Sequence, residues 1–231
     1  MDRAVLGYPV RGRTGVRSLA ALSGAVLAAA IGLRYAAALL PLSLALLGLL
    51  VSVCAAAVLA GYLSCVLVSP DASPPTPPLR EVVTAGFSTL GLVVVAVLWP
   101  ISMLLVTILA LEEGEAAGSG ESVLFLVGST GAFLLFLAVS YVLPAVVGVG
   151  RREGRLTAAL DRRRLLSILR DTGYLLRWVV GFSVLVLAGG LFSLVVESGG
   201  VVGVGASVLV AYGLLVGTRI LGIGYREADP V

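Results

Sequence analysis

The 231 residues include no histidine, and because all sixteen basic residues are arginine they include no lysine either. Without imidazole there is no histidine general base, no histidine metal site and no histidine pH switch. Without a lysine amine there is no Schiff base and no P-loop lysine. Cysteine is scarce: Cys54 and Cys65 are the two thiols, and both fall in one apolar run. On a helix they share a face but stand roughly 16 Å apart along the axis, which excludes a mutual disulfide or chelation and leaves two small core residues. Charge is scarce as well, at 13% of residues against about 25% in soluble proteins. With 59% hydrophobic residues and a mean hydropathy of +1.09, the chain reads as a membrane protein whose site chemistry is confined to carboxylates, hydroxyls and guanidinium groups.

Runs of about twenty apolar residues mark the spans. The sequence predicts an all-α, polytopic transmembrane bundle forming a single transmembrane domain over residues 1–231. Its six spans fall at about 18–40, 42–68, 82–111, 122–150, 174–196 and 201–222. Residues 69–80 carry Pro70, Pro74, Pro75, Pro77 and Pro78, which exclude helix and strand and predict a semi-extended connector. Pro100 and Pro144 lie inside the third and fourth spans, where kinks are expected. The basic start of the chain followed by residues 18–38 has some features of a secretory signal, but the basic region is long and the apolar run continues, so the first span is read as a retained helix.

Arginine sets the expected orientation, because loops rich in it stay on the cytoplasmic side. Arg3, Arg11, Arg13 and Arg17 precede the first span, Arg80 precedes the third, eight arginines lie between Arg151 and Trp178, and Arg219 and Arg226 end the sixth. The opposite side carries Arg34 against Glu112, Glu113, Glu115, Glu121 and Glu197. Alternate loops agree, so both termini are expected on the cytoplasmic side of the cell membrane. Four Gly-Tyr pairs, ending at Tyr8, Tyr62, Tyr174 and Tyr225, fall at the same level, where a tyrosine keeps its ring in lipid and its hydroxyl in water.

The stretch "RREGRLTAALDRRRLLSILRDTGYLLRW" has helical periodicity from an N-cap at Thr157. Ala158, Leu165, Leu169 and Leu176 share a face with Ile168 beside them, and Arg163, Ser167, Arg170 and Tyr174 lie opposite. This predicts a basic amphipathic helix over about 157–173, lying in the interface, with Asp161 paired to Arg164 one turn on. There each arginine is worth about 1 kcal/mol on an anionic leaflet. The candidate lipid- or partner-binding residues are therefore Arg151, Arg152, Arg155, Arg163, Arg164 and Arg170. A positive-inside anchor with no specific ligand needs the same residues.

Other functions find little support. Every acidic residue falls in a loop or at a helix end, whereas proton and cation carriers place acids inside the membrane. The hydroxyls of residues such as Ser52, Ser102, Thr107 and Ser207 more often serve their own helix or a neighbour. The dense acidic cluster Glu112, Glu113 and Glu115 reads as a solvated loop, so no enzyme activity, cofactor or metal site is expected. Nucleic acid is not expected either, since the basic stretch lacks stacking aromatics beyond Tyr174 and Trp178. Arg34 and Arg219 stand near enough to span ends to snorkel. Gly199 and Gly203, then Gly213 and Gly217, have the small-residue spacing that lets helices approach closely, within the chain or in an oligomer.

Several motifs taken together resemble a known family. They are Tyr141 and Pro144 in "SYVLPAVVGVG", the basic turn "REGR", Ala159 and Asp161, Tyr174, Gly203, Tyr212 and the closing "LGIGY", with "GYPVRG" and "GYL" nearer the front. The chain resembles the archaeal and bacterial membrane family catalogued as domain of unknown function 4013, commonest in halophilic archaea. "PPTPPLREVVTAGF" departs from it, lacking the acidic, Trp-containing entry to the third helix. The resemblance implies a multi-span helical membrane protein from a halophile and carries over no catalytic or binding residue. The acidic outer loop and the absence of lysine suit such a source. The expected role is a non-catalytic membrane component that organises anionic lipid, a protein partner or further copies of itself. The alternative is a permease or lipid carrier with a Ser/Thr/Gly-lined pathway.

Overall fold

A backbone crossing lipid satisfies its polar groups through intrahelical hydrogen bonds, and each long apolar run is helical. The computed structural model describes residues 3–41, 43–112, 119–155, 158 and 161–229. Among these residues the order is α1 (Arg3–Leu6), a 3-10 turn (Tyr8–Val10), α2 (Gly12–Ala38), α3 (Ala45–Val68), α4 (Leu79–Glu112), α5 (Ser119–Arg152), α6 (Arg162–Leu169), α7 (Thr172–Glu197) and α8 (Gly200–Ala228). No strand occurs among them. Six of the helices, α2 to α5, α7 and α8, are long and apolar enough to cross a membrane, which makes this an all-helical polytopic membrane protein. α4 and α5 remain helical across Pro100 and Pro144.

The segment between α5 and α7 differs from the expected single interfacial helix. α6 is short, and its N-cap is Asp161, whose carboxylate accepts from the backbone N–H groups of Arg163 and Arg164. A carboxylate there satisfies orphan amides and faces the positive end of the helix dipole. Asp171 repeats the device at the start of α7, accepting from Tyr174 N at 2.7 Å, so Tyr174 and Leu176 belong to a membrane helix and not to α6. Thr157, the expected cap, lies outside the described residues, as do Ala159, Glu113 and Glu115. Ile168 is fully buried, so the apolar stripe of α6 docks on protein, where the sequence pattern pointed to lipid.

Contacts divide the chain into two compact units, Met1–Leu90 with Ala145–Val231, and Gly91–Pro144. In the second, Thr107 and Met103 of α4 lie against Gly128 and Gly131 of α5. In the first, α8 is the central element. It packs against α2, α3, α6 and α7, and every residue from Leu215 to Gly222 is buried. Leu22, Val26 and Ala30 of α2, Val66 of α3 and Val195 of α7 meet Val210, Ala211 and Leu215 of α8 in one apolar cluster.

Small residues set the closest crossings. A Cβ at Gly61 would run into the carbonyl oxygen of Val82, and one at Gly86 into that of Ala57, so α3 and α4 cross backbone on backbone. The four glycines expected to pack helices divide. Gly213 and Gly217 do so, with Cβ positions 2.9 Å from Ala188 Cβ and 3.0 Å from Gly181 O on α7. Gly199 is instead the N-cap of α8, and a Cβ at Gly203 would meet Ser198 O, 2.6 Å away in its own turn. That turn reverses the chain in two residues, with Gly200 at φ +61°.

Candidate functional site

The arginine-rich segments meet at one end of the first unit, where they divide into structural and free guanidinium groups. The deepest is Arg219, only 8% exposed. Its Nη1 donates to Ser69 O at 2.7 Å and its Nη2 to Pro70 O at 3.4 Å, while its guanidinium carbon sits 4.8 Å from the ring centre of Tyr8. Arg226, two turns on along the same face of α8, donates to Leu67 O at 3.1 Å and Ser69 O at 2.6 Å. The last carbonyls of a helix lack intrahelical donors and carry the negative end of its dipole. Two arginines on α8 therefore cap the end of α3, and the snorkelling expected of Arg219 does not occur. Arg34, at the opposite end, is exposed beside Gly199.

The tyrosines of the Gly-Tyr pairs lie at this level but not in a lipid-facing belt. Tyr8, Tyr174 and Tyr225 are 1% exposed or less. Tyr62 donates to Pro75 O at 2.9 Å and bonds Ser18 Oγ at 2.8 Å, tying the proline-rich connector to α2 and α3. Burial pushes the Tyr8 hydroxyl up to about 12, against the opposing influence of Arg219, so it stays protonated.

Asp229, just after α8 and 4% exposed, gathers the next set. Arg164 reaches its carboxylate with two nitrogens, Nε to Oδ1 at 3.1 Å and Nη2 to Oδ2 at 2.9 Å. Arg152 Nη1 adds a 2.7 Å bond to Asp229 O and lies 3.4 Å from Oδ2, and its guanidinium stacks over Tyr225 at 4.9 Å. Tyr225 Oη donates to Oδ2 at 2.8 Å. Arg164 does not pair with Asp161; its third nitrogen takes Glu153 at 2.8 Å. Burial would raise the Asp229 pKa, but the bonds from Arg164 and Tyr225 outweigh it and hold the carboxyl below its usual value of 3.8. The bonds to Asp229 and then Glu153 raise that of Arg164.

A third group lines a cleft of about 590 Å³ between the start of α4 and the end of α5. Arg80, Arg151 and Arg155 stand in its wall with Glu81. Arg151 is held by Glu81 at 2.8 Å and by Cys65 Sγ at 3.1 Å, a contact that places buried Cys65 in a polar role; Cys54 is exposed. The side chains of Arg80, Arg155, Arg162, Arg163 and Arg170 are exposed and make no hydrogen bond or ion pair with a described residue. Of the six arginines singled out in the sequence, Arg151, Arg152 and Arg164 are therefore structural, while the side chains of Arg155, Arg163 and Arg170 have no partner among the described residues. Sequence reading missed Asp229, Glu81 and Glu153. Asp229 carried a faint signal, standing one helical turn after Tyr225.

Residues 44–197 match the model of a family described as "Protein of unknown function (DUF4013)". This chain belongs to the DUF4013 family. No curated protein and no solved structure matches it. In this DUF4013 protein the matched stretch includes the cleft arginines, Glu81, Cys65 and Arg164, and leaves out Tyr8, Arg219, Arg226 and Asp229.

The Asp229 cluster has a predictable acid response. A carboxyl whose folded pKa is depressed contributes stability that is complete above its unfolded value and is lost as pH falls through the folded one. Hydrogen exchange in α6, corrected for intrinsic rates, should be independent of pH above about 4 and accelerate below it. Acceleration that begins near neutrality would show that Asp229 does not hold α6.

Proposed function

We propose that this protein is a non-catalytic component of the cell membrane, with both termini in the cytoplasm, that organises anionic lipids or acidic partner proteins through its arginine-rich face. One observation carries the reading. After internal pairing takes up Arg151, Arg152, Arg164 and Arg177, the exposed guanidinium groups of Arg155, Arg162, Arg163 and Arg170 around α6, and of Arg80 at the start of α4, have no carboxylate partner among the described residues. A positive-inside anchor would use the same charges, so what separates the two readings is whether an anionic ligand depends on them. The orientation rests on the same charges.

The alternative of a Ser/Thr-lined permease draws less support from the hydroxyls. Ser64, Ser102, Thr107, Ser183 and Ser207 each donate to a carbonyl of their own helix. Such back-bonds engage the hydroxyl protons within single helices and give no positive sign of a shared polar path.

The test is native mass spectrometry of the protein extracted gently from its membrane, beside an Arg162→Gln, Arg163→Gln, Arg170→Gln variant. At about 1 kcal/mol per arginine, co-purifying anionic lipid or protein should fall by up to roughly a hundredfold. An unchanged complement of lipids and proteins would reject the platform.

A further inference from the structure

We infer that the cleft between α4 and α5 is a phosphoryl site for one anionic glycerophospholipid; this rests on the platform reading and adds to the α6 arginines one separate site with a defined ligand. The wall carries three guanidinium groups and one carboxylate, Arg80, Arg151, Arg155 and Glu81. Glu81 is engaged by Arg151 at 2.8 Å, which fixes that side chain and leaves Arg80 and Arg155 as the open donors. The charge of Arg151 is balanced by Glu81, although its buried Nε–H has no acceptor among the described residues. Planar guanidinium forks match phosphate oxygens with paired hydrogen bonds, and basic pockets between membrane helices suit phospholipid head groups.

Three features favour a lipid-borne phosphate over a free one. The cleft lies where the spans Leu79–Leu109 and Phe125–Arg152 end, the depth at which lipid phosphates sit. Its lining includes Gly150, Gly154 and Ala85, which contribute little side-chain bulk. Exposed Phe87 is outside the cleft lining but two turns on from Arg80 along the same side of α4, so a head group held at the charged end leaves its acyl chain on an apolar helix surface. The hydroxyls of Thr84 and Ser88 already donate to Arg80 O and Ala85 O, which leaves their lone pairs toward the cleft and assigns the anion to the arginines.

The full-length protein in a neutral detergent would be titrated with dioleoylphosphatidylglycerol, dioleoylphosphatidylcholine or inorganic phosphate and read by native mass spectrometry. We expect one saturable phosphatidylglycerol per chain, not displaced by phosphatidylcholine. Arg80→Gln with Arg155→Gln should weaken it at least tenfold, with helix content by circular dichroism unchanged. Ser88→Glu, which adds a carboxylate without removing an arginine, should weaken it similarly. Arg162→Gln, Arg163→Gln, Arg170→Gln should leave this first site within threefold. Wild-type affinity in both cleft variants overturns the assignment; if the α6 variant then loses lipid, the platform survives without the cleft, and if it does not, both fall. Displacement by equimolar inorganic phosphate would make this a site for free phosphate and overturn the lipid.

Discussion

Asp229→Asn should free the segment between α5 and α7 and leave the six membrane helices in place. The carboxylate is almost fully buried, and Arg152, Arg164 and Tyr225 all converge on it. An amide keeps the shape but loses the charge, and two guanidinium groups are left near a buried position with no anion between them. Removing one partner of a buried ion pair costs about 3–5 kcal/mol, because the remaining charge is stranded. Arg152 and Arg164 are only about one-fifth exposed, so water recovers part of that loss and the lower end applies. A change of about 3 kcal/mol in local opening corresponds to roughly hundredfold faster exchange. Hydrogen exchange should rise by that factor across α6, with the interior of α8 between Val210 and Gly217 unaffected. Equal rates in α6 would mean that Ile168, by burying its side chain, holds the segment without the charges.

Gly61→Val should be more damaging than any substitution among the free arginines. The position that a Cβ would take at Gly61 is occupied by the backbone oxygen of Val82, and Gly86 stands in the same relation to Ala57. Backbone cannot rotate away as a side chain does, so α3 and α4 must separate along the crossing. Overpacking costs about 1–3 kcal/mol where side chains can adjust, and a clash with backbone on a branched residue belongs at or above that range. The thermal midpoint in detergent should fall well below that of Gly189→Val, a control glycine on α7 with open space around it. Equal midpoints for the two variants would show that the α3–α4 contact contributes little to the fold.

The chain shows unevenly what a sequence makes legible. Six spans were legible because hydropathy accumulates residue by residue along each run, and no partner is needed to read it. The helices continue past the apolar runs at their polar ends: α4 starts at Leu79 and α8 continues to Ala228, where Glu81, Arg226 and Tyr225 find tertiary partners. The segment after α5 was read as one helix because its 3.6-residue pattern persists through Asp171. Periodicity does not register an aspartate that turns its carboxylate back onto an amide, which ends one helix and begins the next. Gly213 and Gly217 pack as their spacing suggested, whereas Gly199 and Gly203 have the same spacing and serve a turn.

The sequence alone determined that this is a membrane protein of six apolar helices, with its positive charge gathered in alternate connections and no imidazole or lysine chemistry. Those are local or additive properties. Only the tertiary structure decided which arginines are structural and which are free. Arg164 reaches Asp229 across 65 residues and Arg219 reaches Ser69 across 150, and a guanidinium looks the same in sequence wherever its partner lies. Pairing depends on which helix ends the packing brings together, and the packing of α8 against α3 and α6 made that choice.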